Sequence, residues 1–251
     1  MTNRNNRRNK TFQKAFGEVY LSLKKRLINQ KNKTIKINIG VSGGADSLAL
    51  FLTSQKVLIS KRWTEFCQKR NLAVEFKVIT IDHGLQDSTK KVVQDVYQIC
   101  KKFDVNCEIV NLNLDCKKNV EAVARDERYK VLLKDRPDIL LLAHTLDDQA
   151  ETVLLGLARG SKIEVLAGMQ KERGAILRPF LELTRKETEE ICRFFEIEYW
   201  DDPTNFPAAN IYGYPARSRL RQFVFPELEK IFPGIKKNLV NVAKNIQEEK
   251  N

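Results

Sequence analysis

Residues 35–50 read Ile35-Lys36-Ile37-Asn38-Ile39-Gly40-Val41-Ser42-Gly43-Gly44-Ala45-Asp46-Ser47-Leu48-Ala49-Leu50. Ile35, Ile37, Ile39 and Val41 alternate with Lys36, Asn38 and Gly40, which is the period of a strand. Gly43 and Gly44 then let the backbone turn with its N–H groups inward, because no Cβ blocks a ligand. Leu48, Leu50, Phe51 and Leu52 continue as an apolar helix. A helix N-terminus behind such a loop offers unpaired N–H donors and a partial positive charge, where phosphate oxygens bind. No Lys occurs between Lys36 and Lys56, so this is not the lysine-bearing Walker A loop. Phosphates therefore fall to backbone donors of residues 42–47 with Ser42 and Ser47, and Asp46 is available for a metal ion. Such a loop suits the pyrophosphate end of ATP; the plainer reading is a Gly-rich turn with no ligand.

Outward from this loop, strand and helix patterns repeat with short links. Residues 74–81 read as a strand ending at Asp82-His83-Gly84, residues 88–103 as a helix and 107–114 as a third strand. Asn119 caps a helix carrying Arg125 and Arg128 one turn apart. Their bland reading is a surface face, with Glu121 pairing to Arg125 at i,i+4. Residues 138–143 form an apolar strand, the kind buried on both faces of a parallel sheet. It ends at His144-Thr145-Leu146-Asp147-Asp148, and a helix follows. The pattern predicts a doubly wound, mainly parallel α/β sheet. Ligands of such sheets bind at the carboxyl ends of strands. Both histidines of the chain, His83 and His144, sit at such ends.

Asp147 and Glu151 are four apart and share a helix face. Two carboxylates there suit a cationic substrate and proton removal from an amine. The alternative is capping, since Thr145 and Asp148 fit a capping box. Thr184 to Glu187 fits another, opening a helix to residue 195. From Arg217 the chain reads as a helical tail, bent and broken by Pro226 and Pro233. Arg217, Arg219 and Arg221 alternate at its start as a candidate phosphate clamp, each equally readable as a solvated residue. At the other end, residues 1–10 read as a disordered basic tail, and an amphipathic helix from Phe12 to Leu27 is expected on the sheet edge. The catalytic domain is expected over 11–200 and a C-terminal loop and helical extension over 201–251, with no further C-terminal domains.

With 44 Lys+Arg against 32 Asp+Glu the 251-residue chain carries +12, and at 42% hydrophobic it can bury a substantial core. A polyanion, nucleic acid first, is the expected partner; no long apolar run suggests a membrane. Five scattered cysteines without a Cys-x-x-Cys pair argue against a zinc ribbon. With no secretory leader, they point to a reducing compartment.

Ser42-Gly43-Gly44-x-Asp46-Ser47 after a strand resembles the PP-loop of the ATP pyrophosphatases, which split ATP into AMP and pyrophosphate. More specific stretches resemble the tRNA(Ile)-lysidine synthetase family over residues 12–248. These are Asp82-His83-Gly84-Leu85, Ala124-Arg125 with Arg128-Tyr129, His144-Thr145-x-Asp147-Asp148-Gln149-Ala150-Glu151-Thr152 and Arg159-Gly160-Ser161. Leu166-Ala167-Gly168-Met169, Arg178-Pro179, Asp202-Pro203-Thr204-Asn205 and Arg217-x-Arg219-Leu220-Arg221 complete the set. The family pattern has Arg-Asn-Arg where this chain has Arg217-Ser218-Arg219, and a shorter stretch before it.

The resemblance implies that ATP adenylates the C2 oxygen of the wobble cytidine in the CAU anticodon of tRNA(Ile), and that free L-lysine displaces AMP to give lysidine. It implies ATP with Mg²⁺ held at Ser42, Gly43, Gly44, Ala45, Asp46, Ser47, Asp82, His83 and Gly84, with Asp46 as metal ligand. Asp46, Arg125, Asp147 and Glu151 take catalytic roles. His144, Asp147, Asp148, Glu151, Arg128, Arg217, Arg219 and Arg221 meet the substrates. A homodimer is compatible with it. The Lys/Asn/Ile-rich composition suits an AT-rich genome, so the expected compartment is bacterial cytoplasm or plastid stroma. The rival readings are a PP-loop thiolase or amidotransferase, and a tRNA-binding protein without catalysis.

Overall fold

The computed structural model describes residues 9–82, 87–112, 120–201 and 215–249. His83 and Gly84, Asn119, Cys116 and the Asp202–Asn205 motif lie outside them.

Helix α1 (Lys10–Leu27) is capped by Asn9, whose side chain accepts from Phe12 N. Strand β1 (Lys33–Gly40) leads through the Ser-Gly-Gly loop into α2 (Ala45–Leu58), followed by α3 (Lys61–Gln68). Then come β2 (Leu72–Asp82), α4 (Asp87–Lys102), β3 (Asn106–Asn111), α5 (Val120–Leu133) and β4 (Ile139–Leu141). Helix α6 (Leu146–Ala158) and the short α7 (Ile163–Leu166) precede a hairpin of β5 (Glu172–Arg173) and β6 (Ile176–Leu177). Helix α8 (Arg185–Phe194) follows, and the tail holds α9 (Ala216–Arg219), a π-turn (Leu220–Val224), α10 (Phe225–Ile231) and α11 (Ile235–Glu248).

The strands form one sheet in the order β3-β2-β1-β4-β6-β5. Every pairing is parallel except β5 with β6. The expected α/β class is the observed one. The chain leaves β1 toward β2 and β3, then returns to place β4 on the other side of β1. That reversal opens a crevice at the carboxyl ends of β1 and β4, the switch point where ligands of open α/β sheets bind.

Ile37 and Ile39 of β1 are wholly buried, as are Leu140 and Leu141 of β4, because helices cover both sheet faces. One face packs Leu48, Phe51 and Leu52 of α2 with Val96 of α4 and Ile191 of α8. On the other, Leu132 of α5 packs with Ile79, Leu140 and Leu142. A separate apolar cluster joins Leu146, Ala150 and Val153 of α6 to Phe225, Leu239, Val240 and Ala243 of the tail.

Local expectations need adjustment in four places. Helix α1 packs its apolar face on α2 and α8 within a helical layer and reaches the sheet edge at β5 through polar contacts, Arg26 with Glu172 and the Gly174 carbonyl and Glu18 with Lys171. The apolar run at 138–143 yields only three ladder residues, since the Asp138 carboxylate instead accepts Lys36 N at 2.9 Å and pairs with Lys33. The third strand stops at Asn111. Pro226 does not break the tail. It has no N–H for the Gln222 carbonyl, and the backbone widens into the π-turn, with Phe225 N–H reaching Leu220 O, before continuing as α10. The break comes at Phe232 to Gly234, where Gly234 takes φ +83°. Among the described residues, no helix is long and apolar enough to cross a membrane.

Candidate active site

The loop after β1 is held by its own serines. Ser42 N–H donates to Ser47 Oγ at 3.1 Å, and Ser47 Oγ donates to the Gly44 carbonyl at 2.9 Å. Gly44 caps α2 without a side-chain hydrogen bond. The first-turn N–H groups, at Ala45, Asp46 and Ser47, are therefore left for a ligand. Gly43 takes φ +84°, and a Cβ on it would meet Val92 Cγ1 of α4 at 2.3 Å; its carbonyl accepts from Trp200 N at 2.9 Å. Gly44 is different, since a Cβ there has nothing nearer than 3.8 Å. Gly43→Ala is therefore expected to cost about 2–4 kcal/mol, from left-handed strain plus the clash. Gly44→Ala should cost about 1 kcal/mol or less. Urea denaturation of both variants checks this, and equal losses would contradict it.

Asp46 lies in the first turn of α2, where Thr188 Oγ of α8 donates to its carboxylate and Arg185 Nη2 stands 3.4 Å away. Burial pushes its pKa up to about 6, with Asp148 adding to the rise and Arg185, Thr188 and Arg221 opposing it. This carboxylate stands beside the first-turn N–H groups of α2, with Arg185 and Thr188 as its neighbours. A single carboxylate ligand there fits Mg²⁺, which keeps several waters and takes further ligands from substrate phosphates, with Arg185 giving way to the ion. Asp82 is buried at the end of β2 and accepts from Thr89 Oγ at 2.9 Å.

Across the crevice, Thr145 caps α6 in a reciprocal box. Asp148 Oδ2 accepts from Thr145 N at 2.9 Å, and Thr145 Oγ accepts from Asp148 N. The same carboxylate's Oδ1 accepts from Arg221 Nη2 at 3.0 Å. Glu151 is 1% exposed and accepts from Arg221 through Nε and Nη2, and from Arg217 Nη1 at 3.2 Å. Burial raises the Glu151 pKa, and the two arginines pull it back only in part. His144 is held neutral, its pKa lowered to about 4 by burial, with Arg178, Arg125 and Arg217 adding to that and Asp148 opposing it.

The structure thus gathers the loop residues 42–47 with His144, Asp148, Glu151, Arg217 and Arg221. Arg125 joins by charge: it is exposed on α5 with its guanidinium 5.5 Å from the Tyr129 ring, and its field reaches His144. Arg128 is exposed one turn further along α5.

Two residues stand elsewhere than the sequence suggests. Both Asp147 oxygens are engaged within the protein, Oδ1 by Lys236 Nζ of α11 at 2.6 Å and Oδ2 by Arg185 N of α8 at 2.9 Å. Arg219 does not join Arg217 and Arg221, because in a helix residues four apart share a face and residues two apart do not. Its Nε is buried with no partner among the described residues. Sequence reasoning missed Arg185, Thr188 and Lys236. The capping box at Thr184 and Glu187, which is present, located α8, but nothing in it announced that its first turn meets Asp46.

A family model described as a PP-loop domain matches residues 11–228. The chain is 38% identical over 223 residues to the tRNA(Ile)-lysidine synthase of Bifidobacterium longum (strain DJO10A), covering 84% of this chain and 53% of that protein. It is 36% identical over 213 residues to that of Cutibacterium acnes, covering 82% and 62%. The chain thus spans about half the length of the first curated relatives it matches. Among solved structures, the U34-tRNA thiolase NcsA from Methanococcus maripaludis, with its [4Fe-4S] cluster, superposes with TM-score 0.69 at 20% identity. It covers 95% of this chain and 80% of that one, a likeness of fold. With a switch-point crevice flanked by the Ser-Gly-Gly loop, and with the family model spanning most of its length, the chain belongs to the PP-loop domain family and is similar to curated tRNA(Ile)-lysidine synthases.

Proposed function

We propose that this chain uses ATP to activate the wobble cytidine of a CAU-anticodon tRNA(Ile) and joins it to free L-lysine, forming lysidine. The observation that carries the reading is the juxtaposition at the switch point. Phosphate-facing donors at 42–47 lie on one side, and His144, Asp148, Glu151, Arg217 and Arg221 on the other, in a chain 38% identical to a lysidine synthase.

The pyrophosphate end of ATP rests on the N–H groups of the loop and the α2 N-terminus. The cytidine O2 attacks the α-phosphorus, the bond to the bridging oxygen breaks, and pyrophosphate leaves. The lysine ε-amine then attacks C2, AMP departs with O2, and the amine sheds a proton. Asp148 and Glu151 supply negative charge for the incoming ammonium, which loses one proton to water before it attacks; Glu151, with its raised proton affinity, takes the second once the substrate loosens the Arg217 and Arg221 bonds that occupy both its oxygens. Arg217 and Arg221 hold both acids in place; Arg125 and Arg128 face the RNA phosphates with the chain's net positive charge. Mg²⁺ held by Asp46 would neutralise charge building on the leaving pyrophosphate. Asp147 serves as the tie between α6, α8 and α11. The bacterial relatives favour a bacterial cytoplasmic enzyme, and they lend nothing to the plastid reading.

Purified protein, Mg-ATP, labelled lysine and an unmodified CAU-anticodon tRNA(Ile) transcript test this reading. Lysine-dependent labelling of that RNA with AMP release is expected, and none with the CAU-anticodon methionine tRNA. AMP release without label would replace lysine by another nucleophile. Neither signal from folded, ATP-binding protein would favour a binding protein without catalysis.

A further inference from the structure

His144 and Arg178 sit just beyond the carboxyl ends of neighbouring parallel strands, since β4 pairs with β6 through Leu141 and Leu177. Arg178 is 5% exposed, and among the described residues no carboxylate pairs with it. Its backbone is fixed by the Arg178 N–H to Lys171 carbonyl bond of 2.8 Å. Its side chain donates through Nη1 to the Gln170 carbonyl at 2.9 Å and through Nε to His144 Nδ1 at 3.2 Å. A guanidinium that gives all its hydrogen bonds to neutral acceptors in a buried place costs stability, so some function is expected to retain it.

A guanidinium nitrogen only donates and keeps its proton at any physiological pH. The imidazole nitrogen facing it must therefore be the acceptor, and the single ring proton must sit on the other nitrogen. We propose that Arg178 is a positioning residue that locks His144 in the Nε2–H tautomer, so that the imidazole meets the substrate as a neutral hydrogen-bond donor to an oxygen and not as a base. The proposal rests on the reading of His144 as a substrate-facing residue of the lysidine-forming site. In that reaction the acceptor is an α-phosphate oxygen or the cytidine O2 as it becomes the leaving oxygen, where developing charge strengthens a preorganised bond.

The charges around the ring support the same state. Arg178 beyond β6, Arg125 on α5 and Arg217 on α9 disfavour a second ring proton, and Asp148 on α6 alone favours it. Placing a proton on Nδ1 would set N–H against N–H and break the Arg178 contact. Proton removal in the reaction is left to the acids on α6.

The chain has two histidines, so long-range ¹H–¹⁵N spectra of the full ¹⁵N-histidine-labelled protein resolve both, and the signal lost in His144→Gln assigns this one. The expected wild-type result is the Nε2–H pattern, unchanged from about pH 5.5 to 8. Arg178→Met should give mixed tautomers and raise the His144 pKa by about one unit. Its lysine-transfer kcat should fall about tenfold or more, most steeply on the acid side, with KM for ATP little changed. Arg178→Lys keeps a donor and a charge and should keep the Nε2–H pattern. An Nδ1–H pattern in the wild type, or an unchanged ring in Arg178→Met, overturns the proposal. If Arg178→Met does not fold, the wild-type spectrum and Arg178→Lys decide. The spectra need no substrate, so a failed lysine-transfer assay would remove the function reading and leave the tautomer result standing.

Discussion

Asp46→Asn is expected to lose about a thousandfold in ATP-dependent AMP release, while the folded chain becomes more stable near pH 7.5. Both effects come from the same buried carboxylate. Its folded pKa of about 6 stands above the ordinary aspartate value of 3.8, so the folded state resists its ionisation. For an acid raised in this way, the penalty is present in full above pH 6 and disappears as pH falls through 6 toward 3.8. Two units correspond to about 3 kcal/mol, the upper limit of the gain from the neutral amide. The Asn oxygen still accepts from Thr188, so the α2–α8 contact survives. Urea denaturation should show the variant more stable near pH 7.5 and the two proteins converging near pH 4. A variant that keeps AMP release, or that is less stable near neutrality, would refute the assignment. Activity purchased with stability is common at catalytic carboxylates.

Arg221→Ala is expected to be the most damaging single change to stability, at about 3–5 kcal/mol near pH 7.5. Arg221 reaches both Asp148 and Glu151, and Glu151 is almost wholly enclosed. Removing the guanidinium leaves a buried carboxylate facing only Arg217. Arg217→Ala should cost about 1–2 kcal/mol, since that side chain is 34% exposed and solvent screens its pair. The pH dependence has a definite sign. Burial already raises the Glu151 pKa, and loss of Arg221 raises it further, so the Arg221→Ala deficit should shrink as pH falls and Glu151 takes up a proton. Glu151→Gln in the same chain should recover part of the loss. Additive single and double variants in denaturation would show that the pair is not coupled.

The loop and its strand were legible because their signals are local. The alternation at Ile35 to Val41, the paired glycines and the capping boxes at Thr145 and Thr184 each declare themselves within a few residues, and each is present. What was not legible depends on contacts across the chain. Thr188 meets Asp46 over 142 residues and Lys236 meets Asp147 over 89, and no spacing in the sequence encodes either. The sequence therefore shows neither that Asp147 is tied to α8 and α11 nor that both Glu151 oxygens are held by Arg217 and Arg221. Of the β5–β6 hairpin the sequence shows only a short extended piece from Ile176 to Phe180, because two-residue strands show no period. The alternation that links Arg219 with Arg217 and Arg221 in the sequence belongs to extended chain, whereas the segment is helical.

The widened turn at Leu220–Val224 has a consequence for which length changes the tail tolerates. A π-turn carries one residue more than the α-turn it replaces, so it sets the helical phase of everything after it against everything before it. Arg217 before it and Arg221 near its start face the acids of α6; after it stands Phe225, buried among Leu146, Ala150 and Val153. Side-chain replacements at the exposed Phe223 and Val224 leave both halves aimed at α6. Deleting one residue rotates one half by about 100° relative to the other, so that the arginines or the phenylalanine must leave their places. The exposed Phe223 and Val224 are accordingly permissive in identity while the turn is strict in number, so that descent with substitutions is open at those two positions where descent with deletions is closed.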